Sequence, residues 1–299
     1  NGTVRIASGF LAMKGNFYRF GANFIMGSNG TGEALIYVVG SSSGDFRRLD
    51  GLTGSVSCND FTKFGPGIVR LSGNNTNLFG TIRINQGNLA IDASQAVRNT
   101  NDVWIGYGGR LTMSAASAVL GGLSSDLDAI LQMEYSGATT LSLNPPVGSE
   151  HVFQGTVQNI TGNANVMTIE IAGSGIQGFR GIVGSPLTLK TGAKLKLLGD
   201  VSGASLTCEG DTTMYASALN TFSLTAPSSL PTTVVLSEDT LEKGEYVLIS
   251  SPTGLSGTKP VLDVSATDYP QGMTPTLRIS DNALILDVKA PPGILIVVR

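Results

Sequence analysis

Along most of the chain, apolar and polar residues alternate over short stretches that end at Gly, Asn, Asp or Pro. Val4-Arg5-Ile6, Ile82-Arg83-Ile84, Leu141-Ser142-Leu143, Thr168-Ile169-Glu170-Ile171 and Leu195-Lys196-Leu197 are examples. A period of two is that of a strand with one face buried. Ser28-Asn29-Gly30, Gly73-Asn74-Asn75, Gly108-Gly109 and Asp281-Asn282 supply the bends. Helical periodicity is almost absent. The pattern predicts an all-β chain of short strands.

One stretch, residues 80–91 (GTIRINQGNLAI), recurs near the start as residues 2–13 (GTVRIASGFLAM). Gly, Thr, Arg, Ile, Gly, Leu and Ala match in place. Looser copies are residues 103–113 (VWIGYGGRLTM) and 187–197 (LTLKTGAKLKL). Each reads as strand, glycine bend, strand. A sandwich gives no reason for self-similar units, whereas a solenoid stacks each unit on a copy of itself. The expected fold is a right-handed parallel β-helix (β-solenoid) of roughly 10–15 rungs, from a repeat of about 20–29 residues. Equivalent positions should stack, with Ile6, Leu11, Ile84 and Leu89 in the core and Arg5 and Arg83 outside.

Residues 65–91 read GPGIVRLSGNNTNLFGTIRINQGNLAI. Gly65, Gly67, Leu71, Ser72, Gly73, Asn75, Thr76, Gly80, Thr81, Gly87 and Leu89 form a motif that resembles the autotransporter-associated β-strand repeat, also called the passenger-associated transport repeat. Leu52-Thr53-Gly54 and Phe61-Thr62-Lys63 match its lead-in, while Asn77-Leu78-Phe79 departs from its usual aromatic and Gly-Gly. The stretch 244–288 is similar to the end segment of large secreted proteins carrying this repeat, through Gly244, Tyr246, Leu248, Ile249, Gly254, Leu255, Gly257, Leu277, Asn282, Leu284 and Leu286. The resemblance implies a secreted bacterial surface protein built as a rod. It implies no activity.

Composition narrows the setting. Charged residues make up 14% of the chain, against about 25% in an average domain. Apolar residues are 41% and regularly spaced, which excludes a disordered chain. The net charge is −3 and no basic run exceeds Arg47-Arg48, so no nucleic-acid footprint is present. No apolar stretch approaches the ~20 residues of a spanning helix. The chain opens on Asn1 without a charged-then-apolar leader, and the expectation is a mature chain whose targeting signal is gone. Cys58 and Cys208 read either as one bridge between distant rungs or as two buried free thiols.

Candidate chemistry is sparse. His151 is the only histidine, in a turn after Pro145-Pro146; a Ser-His-Asp site would have to use it. Asp126 and Asp128 would share one face if Asp126-Leu127-Asp128 were a strand, as a glycosidase carboxylate pair requires; the competing reading is a polar turn. Glu238, Asp239, Glu242 and Glu245 form an acidic loop whose spacing fits no calcium motif. Gly27 to Gly32 lacks the Lys-Ser/Thr end of a phosphate loop. Trp104 and Tyr107 could stack on a sugar or simply pack.

The reading that follows has residues 1–288 as one continuous solenoid, with 243–288 as its end segment. Residues 289–299 are a Pro-Pro linker and an apolar strand, Ile294, Leu295, Ile296, Val297 and Val298, expected to exchange with a neighbouring subunit. The expected role is structural and extracellular or at the cell surface: a self-assembling fibre or rod subunit, or an adhesin stalk. It has no catalytic, metal or cofactor site. Partners are other copies, head to tail, and a surface polysaccharide, with no nucleic acid and no membrane span. The alternatives are a carbohydrate-active β-helix enzyme (polysaccharide lyase or glycosidase) and a passenger segment of a larger secreted autotransporter-like protein.

Overall fold

The computed structural model describes residues 2–13, 21–27, 30–40, 48–52, 56–159, 166–237, 240–280 and 282–290. It is all-β, dominated by parallel ladders, with no α-helix among the described residues. Successive strands enter three different sheets before the chain returns to the first. β6 (Val56–Ser57) lies in the first, β7 (Asp60–Phe64) in the second and β8 (Ile68–Leu71) in the third. Then β9 (Ile82–Ile84) pairs parallel with β7, and β10 (Asn88–Ile91) with β8. β11 (Val103–Ile105) and β12 (Arg110–Met113) pair in turn with β9 and β10. The third sheet continues through β15 (Ile130–Met133), β18 (Thr156–Asn159) and β20 (Ile176–Val183).

This register puts like on like. Phe61, Ile82, Val103 and Leu123 stack in one interior column, and Leu71, Ile91, Met113 and Met133 in another. Both are almost wholly shielded from solvent. On the remaining side Leu141, Ile169, Leu187 and Leu206 form a third column. Together these residues make one continuous apolar core from Met13 to Val288.

The 12-residue repeat keeps its local shape but not its position. β1 (Thr3–Ile6) lies in the first sheet and β2 (Leu11–Met13) in the second, whereas β9 and β10 occupy the second and third. The copy at 103–113 stacks directly on that at 80–91. The copy at 2–13 sits one sheet earlier, and that at 187–197 begins in the sheet of the remaining side and ends in the third. The expectation that the two best copies hold equivalent places is therefore corrected: a unit covering two sides of a three-sided path can start on any side. Ile84 and Leu89 are fully buried, Ile6 and Leu11 are partly buried against the core, Arg5 is exposed and Arg83 half-exposed.

Two places break the parallel pattern. At the far end β31 (Thr274–Ser280) and β32 (Ala283–Lys289) form an antiparallel hairpin that adds to β28 (Gly244–Ser250). Pro275 and a charged surface mark β31, devices that blunt a sheet edge. In the second sheet the ladder stops at β14 (Leu123–Ser125). The next strand on that side, β17 (Glu150–Phe153), packs against β14 but pairs only with β20. The gap between β14 and β17 is a seam.

Candidate functional site

A serine, a histidine and an aspartate meet on this seam. His151 is on β17, not in the expected turn, and its side chain is only 12% exposed. Its Nδ1 is 3.4 Å from Ser124 Oγ, and its Nε2 is 3.6 Å from Asp102 Oδ1. Gly121 and Gly122 make the room. A Cβ on Gly121 would lie 2.6 Å from the Asp102 carboxylate, and one on Gly122 would collide with the imidazole ring. The three residue types are those of a nucleophilic triad. The geometry is not: the Asp102 contact is beyond hydrogen-bond reach, and Nε2 is buried without a partner. An imidazole wedged over a glycine, with one nitrogen sealed, has little room for substrate. Its chemistry here is packing across the seam.

Gln177 of β20 does the larger share. Its side chain is fully buried; Oε1 accepts the Leu123 N–H at 3.1 Å, and Nε2 donates to Leu123 O at 2.8 Å. The amide copies a missing strand residue. Beside it the Gln154 N–H donates to Ser125 Oγ at 2.9 Å. These bonds satisfy backbone groups that the broken ladder leaves over.

The other sequence candidates are scattered. Asp126 and Asp128 lie in the bend between β14 and β15, not on a strand, which corrects the shared-face expectation and bears out the polar turn. Asp128 has φ 63° and its carboxylate accepts the Tyr107 hydroxyl, which holds that phenol above its usual range. Glu245 is engaged by Lys289 at 2.7 Å and Arg278 at 3.0 Å, and these cations lower its pKa. Glu238 and Asp239 lie outside the described residues, as do Ile294 to Val298. Among the described residues no three His, Cys, Asp or Glu come together as a metal site. Gly27 and Gly32 pack backbone to backbone. Trp104 lies across Gly106. Both cysteines are free thiols, pushed up by burial to about 12 for Cys58 and about 11 for Cys208.

Sequence reasoning missed the buried Lys63. It points inward in the column between Ile36 and Ile84. Its ammonium turns to the bend and donates to the carbonyls of Phe64 (3.1 Å), Gln86 (2.8 Å) and Gly65. Burial lowers its pKa to about 7, although three carbonyl acceptors oppose that by favouring the charged form. Alternation was the signal that could have found it, since it places Lys63 with Phe61 on the inner face. No protein-family model matches the chain, and no curated protein matches it either.

Proposed function

We propose that the chain is a right-handed parallel β-solenoid with a structural, non-catalytic role in an extracellular or cell-surface setting, as the subunit of a self-assembling rod. The observation that carries this reading is the single apolar core running from Met13 to Val288, with parallel layers stacked in register along most of it. Such a molecule can only gain length by adding layers. Right-handedness follows from the general rule for parallel crossovers, about 98% of which turn that way. The secreted setting rests on the repeat-like motif of residues 65–91 and on the low charge.

The two ends differ in a way that favours head-to-tail growth. The antiparallel hairpin blunts one end. At the other, the outer edge of β1 has no strand partner among the described residues, and Val4 and Phe10 are exposed there. The apolar segment Ile294 to Val298, which lies outside the described residues, is the proposed donor to that edge in the next copy, a heterologous contact that propagates instead of closing. Electron microscopy and sedimentation of the full chain and of a chain lacking residues 293–299 test this. The full chain should form rods and the shortened one should not. A full chain that stays monomeric at high concentration, or identical polymers from both, would overturn the assembly.

A further inference from the structure

The corner between the second and third sides of the path carries two recesses. The first, about 170 Å³, is lined by Pro66, Ile68, Gly87, Asn88, Gly108 and Arg110. The second, about 290 Å³, includes Gln154, Arg180, Lys196, Gly199, Asn220 and Ser237. Both exist because this corner is kept low. Gly87, Gly108, Gly181 and Gly199 all have φ between 66° and 79° and present no side chain. The recesses lie along one corner. β12 carries Arg110 and β20 carries Arg180, three strand spacings apart through β15 and β18, or about 14 Å.

We propose that this corner binds a linear polysaccharide of acidic sugars, a polyuronate. Two sets of observations converge on that chemistry. Arg70, Arg83 and Arg278 are all tied to carboxylates, and Arg98 to Phe79 and the Thr76 carbonyl. The guanidinium groups of Arg110 and Arg180, the two that line the recesses, have no ion-pair or hydrogen-bond partner among the described residues. A planar guanidinium fork left open in a recess matches a carboxylate in two bonds. The surrounding groups suit the rest of a sugar. Asn88 accepts from Thr112 through Oδ1, leaving its amide N–H groups for hydroxyls. Asn220 offers the same on the second recess, where Gln154, with one amide N–H given to Ser125 O at 3.2 Å, keeps its second N–H and its Oε1. Pro66 and Ile68 give an apolar floor, and Tyr107, 71% exposed and held by Asp128, precedes the lining Gly108 in the chain. Lys196 contributes little charge, because Glu150 holds it at 2.6 Å. A nucleic acid fits poorly. Its charge is denser, the chain is net negative, and no aromatic side chain lines either recess.

The inference stands on the corner's side chains and does not require assembly. Binding of polygalacturonate is measured by calorimetry in about 0.15 M salt, with single-stranded DNA as the competing polyanion. Arg110→Ala and Arg180→Ala should each weaken binding about tenfold, and together about a hundredfold. Lys259→Ala, an exposed cation away from the recesses, should change nothing. Circular dichroism and sedimentation of the double variant should match the parent, which separates loss of binding from loss of fold or of polymer. No binding by the parent, equal loss in Lys259→Ala, an unaffected double variant, or equal affinity for DNA would each overturn the proposal.

Discussion

Replacing Gln177 by Met tests the claim that one side-chain amide closes the seam. Met matches glutamine in length and fits a buried apolar site. What it removes is specific: the acceptor for the Leu123 N–H and the donor to Leu123 O. In a parallel ladder these two groups face away from β11, toward the strand that should follow, and β17 offers none. Each buried backbone group left unsatisfied costs about 1–3 kcal/mol. Met also escapes the cost of desolvating an amide, so the net loss should be about 2–4 kcal/mol. Gln177→Glu should be worse, since an ionised carboxylate keeps one acceptor role and turns both donors into repulsion against Leu123 O. Stacked turns can unfold in parts, so a global midpoint in urea needs a local partner measurement. Hydrogen exchange at the Leu123 amide supplies it, and should quicken by about 30- to 1,000-fold. A Met variant within about 0.5 kcal/mol of the parent, with Leu123 protection intact, would refute the bridging role.

Lys63 predicts a pH slope. Its folded pKa is pulled down to about 7 from 10.5, so above pH 7 the unfolded chain holds a proton the folded chain has released, and stability should rise with pH by at most about 1.4 kcal/mol per unit. The clean window is pH 7 to 9, because Cys58 and Cys208, raised from 9.0 by burial, reverse the trend above it; a Lys63→Met variant with the same slope as the parent in that window would exclude the assignment. The same thiols should resist a disulfide reagent in the native protein and react fully in denaturant, and rapid native labelling of Cys58 would show that its layer opens.

The alternation of single residues made the strands legible, and the glycines made the bends legible. Asn75 was visible as part of a motif, though its work was not. Its Oδ1 accepts the Val56 N–H at 2.7 Å and its Nδ2 donates to Ala96 O at 2.8 Å, one turn below and one above. The offset of the repeat copies was not legible, because twelve residues cover two sides of a path that closes only after about twenty. Nor was the seam. His151 looked like a turn residue because Pro145-Pro146 and Gly148 precede it, yet the chain re-enters a strand at Glu150. Partners such as Gln177 and Leu123 lie 54 positions apart, a separation that no local pattern spans.

Asn75, Asn101 and Gln177 point to one solution used repeatedly. Between β6 and β13 (Ser117–Leu120) the first side of the path carries no strand, only the bridge of Cys58 to Leu78. Backbone groups there need partners from elsewhere. Asn75 serves Val56 and Ala96. Asn101 donates to Gly80 O at 2.8 Å and accepts the Arg98 N–H at 2.7 Å. Gln177 does the same where the second side fails. All three amides are fully buried. A neutral amide offers both a donor and an acceptor, as a peptide does, and carries no charge to desolvate. An ionic residue would need a buried counter-ion in every such gap, at a cost that pairing rarely recovers. The interior therefore stays almost free of charge. The exceptions among the described residues are Lys63, whose ammonium is turned to the carbonyls of a bend, and Arg70 and Asp287, each held by opposite charges nearer the surface. That choice also accounts for a chain with only 14% charged residues. Its gaps are filled by Asn and Gln, so charge is needed only on the outer faces and at the corner.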